Sequence, residues 1–429
     1  MTPRTSRPQQ PLQPASPRDL LTSREACALL GIKPATLYTY VSRGFLEPVR
    51  QEGQRANLYW RDEVEGLHLR SEARMGQGAV AARAMHWGQP VLTSSITEIS
   101  PQGPRYRGHL AIDLARHPGA FENVAELLWT GVLPEGRYTW SVEPMAADIQ
   151  RALDGLGIGP RGSRMMRVCA VAATALGGGS LDEELRSGSI TRYSRQLLFA
   201  FAGCCGLLGP QGRFVMPQGE QPLAAHVLEA LGIPPEDAAV EAMNAALIVS
   251  ADHELASPTF AARIAASVGS GLHACVVAAL ATQRGSALSG GGDIAEDLVA
   301  GIQTLSALKA RVAEAARRRE RLVGFGLPLY PQGDPRAAYL IELAKKVGLP
   351  SRQAELACRF TEAVRQQLGL HPNIEIGLVL LGLSLGLPTR SAGAIWCVAR
   401  TAGWIAHVLE QRLAGTVLRP RSHFQPPLR

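Results

Sequence analysis

Arginine, histidine and carboxylate side chains recur in short stretches of this chain: Ala251-Asp-His-Glu254, Asp334-Pro-Arg336, Pro372-Asn-Ile-Glu375, Ala399-Arg-Thr-Ala-Gly-Trp-Ile-Ala-His407 and Arg419-Pro-Arg421. Guanidinium and imidazole donors that converge can hold an anion by charge-assisted hydrogen bonds, and a carboxylate beside them can move a proton. Taken singly, each arginine reads as a surface or ion-pair residue. Ser289, in Ser286-Ala-Leu-Ser-Gly-Gly-Gly-Asp293, lacks a G-x-S-x-G elbow and an assignable His–Asp pair, which speaks against a serine nucleophile. The seven cysteines are scattered, with no C-x-x-C pair. Neither a zinc site nor a disulfide framework is expected, and a reducing cytoplasm suits them.

Such residues need a large scaffold, and 429 residues provide for two or three domains at roughly 100–200 residues each. Hydrophobic residues make up 46% and charged residues 19%, a globular composition and not a disordered one. The net charge is +7, but lysine occurs only at Lys33, Lys309, Lys345 and Lys346. The positive side is almost all arginine, and the balance alone says little about nucleic acid. Residues 197–209 and 376–387 are apolar but shorter than the ~18–20 residues of a spanning helix, so they read as core helices with no membrane partner. Residues 1–19 carry Pro3, Pro8, Pro11, Pro14 and Pro17 and no apolar h-region; a disordered tail is expected, not a targeting segment. Arg317-Arg-Arg-Glu-Arg321 reads as a solvated helix face.

Order is expected from about Leu21. Thr22-Ser-Arg-Glu25 is a capping box, Ala26, Leu29 and Leu30 give an apolar stripe, and Gly31 ends the helix. Pro34 opens a second helix to about Ser42 that buries Leu37 and Val41. Two short helices joined by a Gly-containing turn make a helix-turn-helix. Residues 45–49 and 57–60 read as short strands around a polar loop, followed by a helix over 62–74. Residues 20–75 resemble the winged helix-turn-helix of MerR-like regulators and excisionase-type modules. That resemblance implies duplex DNA as a partner, with Lys33, Thr36, Tyr38, Thr39 and Arg43 on or beside the exposed face of the second helix. A small oligomerisation or docking module is the alternative.

After a linker over 76–100, Gly- and Ala-rich from Gly76 to Gly88, helices are expected over 121–128, 223–231, 258–282, 295–320, 337–347, 352–368 and 392–413. Tyr106-Arg-Gly108, Ile112-Asp-Leu-Ala115, residues 121–134 (FENVAELLWTGVLP) and Gly324-Phe-Gly326, with the stretches quoted first, resemble citrate synthases in order and spacing over roughly residues 90–425. The resemblance implies that residues 101–429 form an all-helical large and small domain, the small one roughly 293–380. It also implies a homodimer with the site in the interdomain cleft. His253, Arg336 and Arg400, with Arg419 from the other chain, would hold a small carboxylate such as oxaloacetate or citrate; Arg421 is the alternative to Arg419. A CoA ester such as acetyl-CoA would be the second ligand, with no permanently bound cofactor and no metal.

At three positions the chain departs from the family. Ser289 stands where G-P-L-H-G-G-A-N supplies an enolate donor, and Leu327 where G-x-G-H supplies a ketone donor. Glu375 stands where P-N-V-D supplies the aspartate base. A positioned acid or base is worth ~10²–10⁴-fold and a misplacement of about 1 Å costs ~10², so these exchanges should remove most of the rate. The expectation is a mainly α protein behind a small winged helix-turn-helix. It would bind a di- or tricarboxylate and an acyl-CoA, be catalytically impaired, and act as a cytoplasmic, ligand-responsive DNA-binding regulator. The alternative is an active citrate or 2-methylcitrate synthase, an acyltransferase condensing acetyl- or propionyl-CoA with oxaloacetate through altered residues.

Overall fold

The computed structural model describes residues 20–30, 32–42, 46, 48–49, 57–61, 63–64, 92–117, 120–141, 147–155, 165–177, 184, 190–285, 291–318 and 320–419. Expectations for residues 1–19, for 76–91, for most of 62–74, and for Arg43, Ser289 and Arg421 lie outside the described residues. The chain divides into two units, with the boundary between Thr93 and Ser94.

In the first unit, β1 (Leu20–Thr22) leads into α1 (Ser23–Leu30) and α2 (Pro34–Ser42), and β2 (Leu58–Trp60) returns antiparallel to β1 with Leu21 opposite Tyr59. The capping box forms: the Thr22 amide and hydroxyl both donate to the Glu25 carboxylate at 2.8 Å, and the Glu25 amide donates to Thr22 Oγ1 at 3.3 Å. Leu21, Ala26, Cys27, Leu30, Leu37, Leu46, Tyr59 and Val64 make the core, with Val41 only partly buried against it. The strand pairing differs from the expected one. β2 pairs with β1, and Val49 contributes a single bridge to Leu58. The three residues of β1 end on the helix cap, whose backbone is extended in any case, so this strand has no signature separate from the cap.

The second unit, Ser94–Pro420, opens with an antiparallel sheet of β3 (Thr97–Ser100), β4 (Gly103–Tyr106) and β5 (His109–Leu110). Helices follow: α3 (Ala111–Arg116), α4 (Phe121–Thr130), α5 (Ala147–Asp154), α6 (Met165–Leu176), α7 (Ile190–Cys204), α8 (Leu223–Ala230) and α9 (Asp237–Ser250). Then come α10 (Ser257–Ser267), α11 (Leu272–Gln283), α12 (Gly291–Ala300), α13 (Leu305–Arg318), α14 (Pro335–Val347), α15 (Arg352–Leu368), α16 (Ile374–Ser384) and α17 (Ser391–Ala414). Two helices expected to be continuous are broken. The stretch 258–282 divides at Gly269, whose φ of 83° leaves the helical region. The stretch 295–320 divides before Thr304, whose Oγ1 accepts the Ala307 amide at 3.0 Å and starts α13. Apolar periodicity runs through both breaks, so pattern alone joins them.

The 24-residue α17 is the axis of this unit, about 36 Å long at a rise of 1.5 Å per residue. It packs against α4, α6, α7, α9, α10, α11, α12 and α16. By length and composition it is apolar enough to cross a membrane, which corrects the view that every apolar stretch is too short. Its surface is mostly buried inside the unit, the environment of a core helix. Helices α12 to α16 pack on one another, with α14 against α16 and α13 against α15.

Candidate active site

The loop after α9 carries Asp252 and His253. Asp252 is buried; its amide donates to Tyr106 Oη at 3.3 Å, and its Oδ2 accepts the Glu254 amide at 3.2 Å and lies 3.3 Å from His407 Nε2. Arg263 Nη1 donates to His407 Nδ1 at 3.0 Å, which places the ring proton on Nε2, facing Asp252. Arg263 also donates to Gln411 Oε1 at 3.0 Å and to Glu410 Oε2 at 2.6 Å. Burial alone would raise the Asp252 carboxyl, but His407 and Arg400 outweigh it and hold the group below the usual range. Residue 403 of α17 must be glycine for this approach. Its amide donates to the Ala251 carbonyl at 3.1 Å, and a Cβ would collide with that carbonyl and with the Asp252 carboxylate.

Asp334 organises the opposite side. Its Oδ1 accepts the Arg336 amide at 3.1 Å and Nε at 3.0 Å; its Oδ2 accepts Arg336 Nη2 at 2.8 Å and the Ile374 amide at 3.1 Å. One carboxylate therefore caps α14, clamps a guanidinium in bidentate fashion and holds the first turn of α16. Asn373 Oδ1 accepts the Glu375 amide at 3.0 Å, which fixes that turn. The preceding Gly324-Phe-Gly-Leu327 loop is pinned to the same segment. The Asn373 amide donates to the Gly324 carbonyl at 2.9 Å, and the Gly326 amide to the His371 carbonyl at 2.7 Å.

Between these two supports the chemistry converges. His253 Nε2 lies 3.3 Å from Tyr330 Oη, and the Arg336 guanidinium stands 5.7 Å from the centre of the Tyr330 ring. Arg400 stacks 4.9 Å from the Trp396 ring while its Nε donates to the Ser250 carbonyl at 2.9 Å. Arg336 Nη1 is buried and has no hydrogen-bond partner among the described residues. Burial, reinforced by the charges of Arg336 and Arg400, pushes His253 well below the ordinary imidazole value, so it is neutral at pH 7. Burial brings the Arg400 guanidinium down to about 10; Asp252 opposes that fall and Arg336 adds to it. Burial raises Glu375, against the Asn373 hydrogen bond and the Arg336 charge. Two neighbouring guanidiniums around a neutral imidazole can hold a carboxylate ligand, and a carboxyl of raised pKa is a stronger proton acceptor.

Of the residues named from the sequence, His253, Arg336, Arg400 and Glu375 are coupled to one another through Arg336. Leu327 sits half-buried on the pinned loop beside Pro328. Arg419 is exposed, next to Leu418, whose amide donates to Ser267 Oγ at 3.1 Å. In the first unit Lys33, Tyr38 and Thr39 are exposed and Thr36 is half-buried. The sequence reading missed Tyr330, Trp396 and the supporting roles of Asp334, Asp252, His407 and Arg263. Asp334, Asp252 and His407 lie inside quoted motifs, but His407 meets Asp252 across 155 positions, which no local pattern signals. Beside the site, a cavity of about 270 Å³ is bordered by Asp334, Lys345, Thr361, Arg365 and His371. Among the described residues no cluster of three or more His, Cys, Asp or Glu side chains is placed to hold a metal ion.

Residues 84–421, well over half of the chain, match the family model "Citrate synthase, C-terminal domain". The chain belongs to the citrate synthase family. Residues 20–65 of this family member match a helix-turn-helix domain model. Citrate synthase 2 of Bacillus subtilis (strain 168) is 28% identical over 355 residues, covering 79% of this chain and 95% of that relative. The 2-methylcitrate synthase of Shewanella oneidensis is 27% identical over 366 residues, covering 82% and 96%. Among solved structures, citrate synthase from Pyrobaculum aerophilum aligns with a TM-score of 0.63 at 25% identity, over 79% of this chain and 91% of that one. Citrate synthase from Thermoplasma acidophilum, in ternary complex with carboxymethyl coenzyme A and oxaloacetate, aligns with a TM-score of 0.67 over 81% and 97%. Its 21% identity speaks to the fold alone. The fold is thus the mainly α citrate synthase fold, preceded in the chain by a helix-turn-helix, and the small β3–β5 sheet corrects the expectation of an all-helical domain.

Proposed function

We propose that this citrate synthase family member binds a di- or tricarboxylate between His253, Arg336 and Arg400, condenses it poorly, and uses the bound ligand to bias DNA binding by its helix-turn-helix in the cytoplasm. The observation that carries the reading is Arg336 Nη1, a buried donor without a partner among the described residues, beside a second buried guanidinium. Such a donor is costly unless an anionic oxygen meets it. Leu327 supports the catalytic part, because an apolar side chain cannot polarise a ketone. Ser289 and Glu375 would serve as enolate donor and base only weakly. A CoA ester is the second ligand, in keeping with the coenzyme A derivative held by the Thermoplasma acidophilum relative. Arg419 completes the site of the partner subunit in a homodimer. Lys33, Thr36, Tyr38, Thr39 and Arg43 face duplex DNA.

A second reading, an active citrate or 2-methylcitrate synthase with altered donors, is favoured by the carboxylate retained at Glu375 and by the names of the relatives. Release of free CoA from acetyl-CoA or propionyl-CoA in the presence of oxaloacetate separates the two. Turnover far below the ~10 s⁻¹ of ordinary enzymes is expected, and turnover near that rate makes the chain a synthase. Calorimetry with oxaloacetate and citrate tests the ligand site itself, and the absence of binding by either removes it.

A further inference from the structure

The outer face of α2 has an unusual composition for a major-groove reader. Ala35, Tyr38, Thr39 and Ser42 are exposed at the spacing of one helix face. From Pro34 to Ser42 there is no charged and no amide side chain. Bidentate reading of guanine needs Arg or Lys, and bidentate reading of adenine needs Asn or Gln. The α2 helix has neither. The hydroxyls that it does carry are partly committed: Thr39 Oγ1 donates to the Ala35 carbonyl and Ser42 Oγ to the Thr39 carbonyl, both at 3.0 Å. Their protons are turned back onto the helix, which leaves this face the Ala35 and Thr39 methyls and the Tyr38 ring, whose hydroxyl is its remaining side-chain donor. Tyr38 is 60% exposed, far more than an aromatic side chain of a packed module needs to be.

What such a face meets well in the major groove is the C5-methyl group of thymine. Charge for the phosphates lies at the edges of the face and not on it, with Lys33 exposed at the N-terminal end of α2 and Arg24 exposed on α1. Over residues 21–74 eight basic residues stand against seven acidic ones, so bulk charge cannot substitute for base contacts. Resting on the DNA-binding reading above, we propose that α2 selects its site through thymine methyl groups, with Tyr38 as the residue that sets the preference.

The test uses the full-length protein and a pool of duplexes with a random 20-bp centre. Enriched duplexes are then synthesised with deoxyuridine in place of thymidine, which removes only the methyl group. Enrichment of T-rich half-sites is expected, with affinity falling about fourfold for each methyl removed, the value of one buried methyl-sized group. Tyr38→Ala should abolish the difference between thymidine and deoxyuridine at the contacted step, while Tyr38→Phe keeps it. Neither should alter the slope of affinity against salt, whereas Lys33→Ala should reduce it by about one phosphate contact. Duplex binding that is indifferent to deoxyuridine, or selection of half-sites without thymine, overturns the proposal and leaves DNA binding standing. Retention of no duplex at low salt removes the DNA-binding reading and this proposal with it.

Discussion

The Asp334 carboxylate holds the Arg336 side chain, the cap of α14 and the first amide of α16 at once. Arg400 is held differently, by one carbonyl and an aromatic face, which leaves the rest of its guanidinium available. The two positions should therefore fail in different ways. Arg400→Gln is expected to weaken citrate or oxaloacetate binding tenfold or more in calorimetry, as loss of a charge-assisted contact worth ~1.5–3 kcal/mol requires, with a modest change in melting temperature. Asp334→Asn should lower stability as well as affinity, by ~3–5 kcal/mol, because it leaves the buried Arg336 charge unpaired. Equal stability of the two variants in chemical denaturation contradicts this division. His253, Arg336, Arg400 and Glu375 could be singled out in the sequence because they lie in short stretches that resemble citrate synthases in order and spacing. Asp334 and His407 were not, because a support is defined by partners distant in the chain, and aspartate or histidine in isolation has many uses.

Helices were legible in place and type, as at Arg352–Leu368, where a capping serine and the glycine after the last turn mark both ends. The breaks near Gly269 and Thr304 were not, because periodicity passes through them. Two element-level features carry predictions. Gly403→Ala inserts a methyl where α17 meets the Asp252 loop, and it should destabilise the protein by ~1–3 kcal/mol or more through overpacking, read as a fall in denaturation midpoint. Glu122, buried in the first turn of α4, reaches the start of α8, where its Oε1 accepts the Leu223 amide at 2.7 Å; its Oε2 has no partner among the described residues. Burial raises this carboxyl to about 7 from an ordinary 4.5, against the hydrogen bond and the Arg137 charge. The folded protein thus binds a proton there that the unfolded chain releases above about pH 4.5. Its contribution is greatest in acid and is lost as pH rises toward and past 7. Glu122→Gln, which cannot titrate, should gain on the wild type by on the order of 3 kcal/mol between pH 5 and pH 8. A pH-independent difference in denaturation experiments means that Glu122 is charged throughout.

At the scale of the whole molecule, exposed Ile264 and Val268 on and just beyond α10, and Leu413 and Val417 near the end of α17, offer apolar surface next to Arg419. A stable interface of the obligate kind buries upwards of ~2,000 Å². Light scattering at micromolar concentration should give a dimer, and Arg419→Ala should weaken carboxylate binding without dissociating it. A monomer that binds citrate as tightly as wild type denies Arg419 its role. The α1 cap was legible because a capping box is local, spanning only Thr22 to Glu25. The β1–β2 pairing was not, since it joins segments about forty residues apart through three-residue strands.

The two supports of the site also give it a mechanical seam. Arg336 is riveted through Asp334 to the frame of α14 and α16, whereas His253 and Arg400 belong to the frame of α9 and α17. On the proposed carboxylate-binding reading, a ligand with several carboxylates is expected to span both frames as a strut, and one with a single carboxylate to grip one side. Citrate should therefore raise the melting temperature and slow amide hydrogen exchange on both frames together, and acetate at the same saturation should protect at most one. Equal protection by acetate would mean that the seam carries no load.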